Sequence, residues 1–153
     1  MNRSFTIRAA THADLAPLSQ LCLRSKAHWG YDEAFMAACV PALTLTADDL
    51  AEGLLVLAEA DGVIAGMAQL AGPEGEMEID RFFIDPTFMG AGCGRVLFEW
   101  CLNAARARGE TRLMIEADPD AAAFYEHMGA VKVGEAPSGA ISGRMLPLLE
   151  ISV

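Results

Sequence analysis

The chain has 153 residues, 53% of them hydrophobic, and a formal net charge of −10 at neutral pH. This length accommodates one domain, residues 1–153, with a single sizeable core, and the apolar fraction excludes a disordered chain. The acidic excess argues against nucleic acid and anionic membrane surfaces as partners and is compatible with a cationic or amine-bearing small substrate.

The apolar runs are short and broken by charge, so no membrane span is expected, and the start MNRSF is not followed by the apolar stretch of a signal peptide. Cys22, Cys39, Cys93 and Cys101 form no C-x-x-C pair and have no histidine cluster beside them. The expectation is a cytoplasmic protein with reduced thiols and no metal.

Phe5 to Arg8 alternates and predicts a first strand. Thr11-His12-Ala13-Asp14 is a capping-type start for a helix carrying Leu15, Leu18, Leu21 and Cys22 on one face. Trp29-Gly30-Tyr31 interrupts it, and a second helix is predicted from Asp32 to about Pro41, with Phe35, Met36 and Cys39 on one face. Leu54–Glu59 and Val63–Leu70 predict two strands joined by the hairpin turn Ala60-Asp61-Gly62. A turn at Gly72-Pro73-Glu74-Gly75 leads into a third strand of this meander, Met77–Ile84. Val96 to Arg108 predicts a helix with Val96, Leu97, Trp100, Cys101, Ala104 and Ala105 in one stripe and Gly109 at its end. Arg112–Ala117 predicts a short strand, and Asp118-Pro119 predicts the capped start of a helix through Met128. Val131–Gly134 and Met145–Val153 predict the closing strands, with Pro147 pointing to an edge or a bulge. The resulting order, β-α-α-β-β-β-α-β-α-β-β, gives a mixed, mainly antiparallel central sheet with flanking helices.

The most informative segment is Met89-Gly90-Ala91-Gly92-Cys93-Gly94-Arg95, between the strand ending Phe82-Phe83-Ile84 and the helix from Val96. Glycines at alternate positions remove the Cβ atoms that would hold a ligand off the backbone. The helix that follows leaves its first N–H groups unpaired and its positive end exposed, so strand, turn and helix make an anion cradle. A dinucleotide site needs G-x-G-x-x-G, but Arg95 stands where the third glycine belongs, although Glu116 lies at about the distance of a ribose-binding acid. A Walker A loop ends in Gly-Lys-Ser/Thr, and this turn ends Gly94-Arg95-Val96. Cys93 lies inside the cradle with no general base near it in sequence, which fits a small residue tolerated in a tight loop better than a nucleophile.

The segment Phe83-Ile84-Asp85-Pro86 through Gly94-Arg95-Val96-Leu97 resembles motif A of the GNAT superfamily of N-acetyltransferases, Arg/Gln-x-x-Gly-x-Gly/Ala after a strand. Asp118-Pro119-Asp120-Ala121-Ala122-Ala123-Phe124-Tyr125 through Gly129-Ala130 resembles motif B, and the element order matches along the whole chain. The resemblance implies acetyl-CoA as cosubstrate. Its pyrophosphate would lie on Met89, Gly90, Ala91, Gly92, Cys93, Gly94 and Arg95, and its pantetheine arm along Phe82, Phe83 and Ile84. Asp118, Ala121 and Phe124 would complete the cofactor site. Two positions depart from the family pattern. Met89 replaces an Arg or Gln, and Asp118 replaces an Asn, so it accepts but cannot donate a hydrogen bond.

The resemblance also implies that Tyr125 donates a proton or hydrogen bond to the departing thiolate, a role suited to a phenol of pKa ~10; the alternative is a tyrosine that packs the helix on the sheet. Glu78 lies where some family members place a carboxylate base. Glu76 and Asp80 share its strand face by period two, and a solvated face or attraction of a cationic substrate are the alternatives. Trp29 and Tyr31 are candidates for an aromatic substrate wall, or else for packing at the helix break. Ser25, Lys26, His28, Ser138, Ser142 and Arg144 lie in the same region. The expected reaction is direct acetyl transfer from acetyl-CoA to a small primary amine. A protein N-terminus or lysine is the rival acceptor, and a non-catalytic acyl-CoA sensor is the rival class. A homodimer built partly on Met145-Leu146-Pro147-Leu148-Leu149, apolar at consecutive positions, is also expected.

Overall fold

The computed structural model describes residues 4–51 and 54–153, so the first three residues of the MNRSF start lie outside the described residues. Strands β1 (Thr6–Ala9), β2 (Leu55–Ala60), β3 (Val63–Ala71), β4 (Glu78–Ile84), β5 (Arg112–Glu116), β6 (Val131–Pro137) and β7 (Met145–Ser152) form one sheet in the order β1-β2-β3-β4-β5-β7-β6. Every neighbouring pair is antiparallel except β4–β5, which is parallel. A parallel pair needs a crossover, and helix α3 (Cys93–Ala107) supplies it. Helices α1 (Leu15–Ala27) and α2 (Glu33–Leu43) cover one face, and α3 with the short α4 (Ala122–His127) covers the other.

The sheet is therefore buried on both sides, and β2 shows how the sequence encodes this. Its run Leu55-Val56-Leu57-Ala58 is continuously apolar because Val56 and Ala58 pack toward α3 while Leu55 and Leu57 pack toward α1. The hairpin between β2 and β3 is the expected tight turn, with Asp61 and Gly62 both left-handed, at φ 52° and 78°. Thr11 caps a 3-10 turn, His12–Asp14, that leads directly into α1. Its backbone N–H donates to Asp14 at 2.7 Å, and Arg8 clamps the same carboxylate at 2.8 and 3.0 Å. Arg8 outweighs burial and holds the Asp14 carboxyl well below the usual carboxylate range. Asp32 caps α2 by accepting the Phe35 N–H at 2.8 Å.

Several boundaries differ from the sequence reading. Helix α2 carries Pro41 inside it and runs on to Leu43. Helix α4 starts at Ala122, a turn later than Asp118-Pro119 suggests, because Asp118 Oδ1 accepts the Asp120 N–H in a separate turn. Glu76 precedes β4 and bonds back to Pro73, so it does not share a strand face with Glu78. Strand β7 is not an edge. It lies between β5 and β6, with Leu149 and Ile151 buried, and β6 is the exposed rim.

Candidate active site

Strand β4 leads into a single 3-10 turn, Pro86–Phe88, fixed by Asp85, which accepts the Thr87 N–H at 3.0 Å and pairs with Arg24 at 2.7 Å. The chain then reverses through Gly90 and Gly92, at φ 79° and 95°, into α3. The Val96 N–H is the first to find a helical partner, the Gly92 carbonyl at 3.3 Å. The N–H groups of Cys93, Gly94 and Arg95 have no backbone partner among the described residues, which makes the expected anion cradle. Gly94 has a different use from its neighbours. It is helical, and a Cβ there would lie 3.2 Å from Phe124 Cζ, so its bareness lets α4 pack against α3. Cys93 is buried and its thiol is pushed up to about 12 by burial, so it is no thiolate at neutral pH.

Strand β4 pairs with β3 along its whole length but with β5 only at Glu78↔Met114 and Ile79↔Ile115. Beyond these pairs the two parallel strands splay apart. A cleft of 530 Å³ runs from the cradle into this opening. Phe82 to Ile84 present an unpaired backbone edge to it, Ala121, Phe124 and Tyr125 wall it from α4, and Met89 lines the cradle end. The Phe82 and Phe124 rings stack at 5.8 Å, and Tyr125 meets Phe82 edge-on at 5.8 Å. Tyr125 is 5% exposed, and its hydroxyl has no hydrogen-bond partner among the described residues. Among the described residues no fully enclosed side-chain oxygen lacks a partner, so this hydroxyl opens to the cleft that Tyr125 lines. Burial raises its pKa, which keeps the proton available for donation.

Acidic side chains collect where the strands part. A bulge at Asp80 shifts β4 against β3, with Arg81 opposite Gln69 and Ile79 opposite Leu70. Leu113, Ile115 and Ala117 are buried on the α3 side, so Glu116 points to the α1 side. Asp80 and Glu116 line the cleft. Glu78 stands behind them, outside its lining. Burial, then the charges of Asp80 and Glu116, raise the Glu78 pKa above the usual carboxylate value.

A second cluster ties three loops together. Asp118 accepts from Lys26 Nζ at 3.0 Å and from the Tyr31 hydroxyl at 2.8 Å, while Arg144 Nη2 donates to Tyr31 Oη at 2.9 Å. Tyr31 stacks on Phe35 with centroids 4.1 Å apart. Burial opposes the charge on Asp118, but the Asp120 N–H, Lys26 and Tyr31 outweigh it and hold its carboxyl below the usual range. Tyr31 is pushed up to about 12 by burial and by Asp118.

The structure brings Phe82, Phe83, Ile84, Met89, Gly90, Gly92, Gly94, Arg95, Asp118, Ala121, Phe124 and Tyr125 to one cleft, while Ala91 and Cys93 do not line it. Trp29 lines its mouth and is 43% exposed. Tyr31 is no free wall, because its hydroxyl belongs to Asp118, and Glu76 lies elsewhere. Glu116 and Arg81 were missed as cleft residues. The alternation of Glu116 with buried Leu113 and Ile115 carried that signal. Arg81 spends its guanidinium on the Asp49 carboxylate, Gln69 and the Ala42 carbonyl.

The sequence profile of the Acetyltransferase (GNAT) domain matches residues 26–139. The fold is similar to a GCN5-related N-acetyltransferase from Rhodopseudomonas palustris, 25% identical, over 100% of this chain and 98% of that one, with a TM-score of 0.82. It is also similar to the PaiA N-acetyltransferase of Thermoplasma acidophilum in complex with coenzyme A, at 17% identity, 98% and 99% coverage and a TM-score of 0.80. N-acetylglutamate synthase from Neisseria gonorrhoeae, complexed with coenzyme A and N-acetyl-glutamate, matches 99% of this chain over 36% of its own length, at 17% identity and a TM-score of 0.69. No curated protein sequence matches the chain at a significant level.

Proposed function

The chain belongs to the GNAT family of acetyltransferases, and from that premise we propose that it moves an acetyl group from acetyl-CoA directly to a small primary amine. The cosubstrate fits the residues present. The unpaired N–H groups of Cys93 to Arg95 suit its pyrophosphate, and the open edge of Phe82 to Ile84 suits its amide-bearing arm as an added strand would. The thioester supplies the activated acyl group, and the remaining chemistry belongs to this chain. Tyr125 donates its proton to the leaving sulfur. The amine proton leaves toward the carboxylates at the splay, where Glu78 is a better base than a free glutamate because burial and its neighbours raise its pKa.

The observation that carries this reading is the Tyr125 hydroxyl, buried, protonated and without a protein partner, opening into the cleft. A sensor that only bound acyl-CoA would leave it without a use. The bond between Arg144 and Tyr31 favours a small acceptor over a polypeptide, because it closes the gap between the α1–α2 turn and the segment before β7. The test is release of free thiol from acetyl-CoA in the presence of amines. Amine-dependent release that collapses in Tyr125→Phe supports the reading, and release independent of any amine refutes it.

Self-association, if the homodimer is formed, belongs at the β6 rim, where Val131 and Val133 are 63% and 51% exposed, and not at β7. The four cysteines are free and buried, which suits a reducing cytoplasm. Among the described residues no helix is long and apolar enough to cross a membrane.

A further inference from the structure

Three carboxylates meet at the splay, and the cations near them are already engaged. Lys26 is held by Asp118 at 3.0 Å. Arg81 is held by Asp49 at 3.1 Å and reaches Asp80 only at 3.7 Å. Glu116 and Glu78 have no ion pair or hydrogen bond among the described residues. The acceptor side of the cleft therefore carries negative charge that is only partly offset, with Asp80 shared loosely with Arg81 and Glu116 unpaired among the described residues. No group of three or more His, Cys, Asp or Glu side chains among the described residues is placed to hold a metal ion, so these carboxylates do not converge as ligands would.

An independent observation lies across the cleft on α1. Ser25 is 5% exposed and lines the same cleft, yet its hydroxyl has no hydrogen bond among the described residues. The other buried polar residues, Asp14, Gln69 and Glu110, are all bonded. Because no fully enclosed side-chain polar atom among the described residues lacks a partner, the Ser25 oxygen faces the cleft, where a ligand can complete it.

We propose that the acceptor is an amine carrying a second cationic group, held by Asp80 and Glu116 across from the Ser25 hydroxyl. The charge selects the substrate class: a second ammonium finds two partners, a methyl group finds none, and a carboxylate is repelled. Ser25 contributes a neutral hydrogen bond that orients the acceptor toward the Tyr125 side. This inference rests on the acyl-transfer reading for its chemistry but not for its binding.

The test uses three acceptors of one chain length, 1,4-diaminobutane, butylamine and 4-aminobutanoate, with acetyl-CoA and free thiol as the readout. The expected order of kcat/KM places the diamine about tenfold or more above butylamine, with 4-aminobutanoate lowest. Asp80→Asn and Glu116→Gln should each lower the diamine value more than the butylamine value, so that together they erase the preference. Ser25→Ala should raise the acceptor KM about three- to tenfold and leave the acetyl-CoA KM unchanged, which a loss of packing alone would not do. Calorimetry of 1,4-diaminobutane binding to the protein saturated with coenzyme A separates the two readings. Diamine binding that depends on Asp80 and Glu116, without turnover, upholds the acceptor site and overturns acyl transfer. Turnover of butylamine or 4-aminobutanoate at the diamine's efficiency, or a preference untouched by both substitutions, overturns the acceptor site and leaves acyl transfer standing. Absence of diamine binding overturns the acceptor site whatever the turnover.

Discussion

At the scale of single residues, two carboxylates with opposite pKa shifts make opposite predictions. Asp14 is held below its ordinary 3.8, chiefly by Arg8, so its contribution to stability is complete above that value and is lost as pH falls below it. Asp14→Asn should cost about 1–3 kcal/mol at neutral pH, and the gap to the parent should begin to narrow only once pH falls below 3.8 and shrink further in stronger acid; urea unfolding at neutral pH and across the acid range measures it. Glu78 is raised above its ordinary 4.5 by burial and then by Asp80 and Glu116, so its ionised form works against folding at neutral pH and ceases to do so once pH falls below that value. Glu78→Gln should therefore raise the melting temperature at neutral pH while lowering turnover, and part of the lost rate should return at alkaline pH, where the free amine is abundant. A pH-independent loss would instead assign Glu78 to substrate attraction. Tyr125→Phe keeps the ring and removes the proton, so kcat should fall on the order of 10²–10⁴ while coenzyme A affinity holds. Tyr125 was singled out in the sequence by the motif that flanks it, and the structure places it at the cleft. Ser25 was one of several polar residues in its region, and only its burial without a partner sets it apart.

At the scale of elements, the cradle glycines separate into two kinds. Gly92 sits at φ 95°, where a side chain costs about 1–2 kcal/mol, so Gly92→Val should destabilise the fold modestly and abolish the thermal shift given by coenzyme A. Gly94→Ala should act through Phe124, whose ring must retreat from a new methyl group 3.2 Å away, so the α3–α4 seam should loosen and coenzyme A should bind more weakly. A thermal shift equal to the parent's in either variant contradicts that assignment. The sequence displayed most elements correctly because periodicity, caps and turn glycines agree along them. It failed where a side chain is claimed from afar. Nothing local to Asp118 reveals that Lys26, Tyr31 and Arg144 converge on it, and Asp118-Pro119 looks the same in sequence whether Asp118 caps a helix or, as here, a separate turn before it. The bulge at Asp80 likewise breaks the period-two rule without any glycine to mark it.

At the scale of the whole molecule, the sheet order decides what strand β7 does. Its apolar run reads as an exposed edge only if chain order is spatial order. Because β6 returns outside it, the backbone of β7 is paired on both sides, although of its apolar run Met145–Leu149 only Leu149 is buried. Light scattering across a wide dilution range should therefore respond to Val131→Lys and Val133→Lys if a dimer forms, and not to Met145→Lys. The same order has a kinetic consequence. Two antiparallel units, β1 to β4 and β5-β7-β6, are stitched by pairing at two positions alone, with α3 laid across the seam. Local opening should follow that seam. The amides of β4 beyond Ile79 should exchange with deuterium faster than those of β2 and β3, and saturating coenzyme A should slow exchange on both banks of the seam at once.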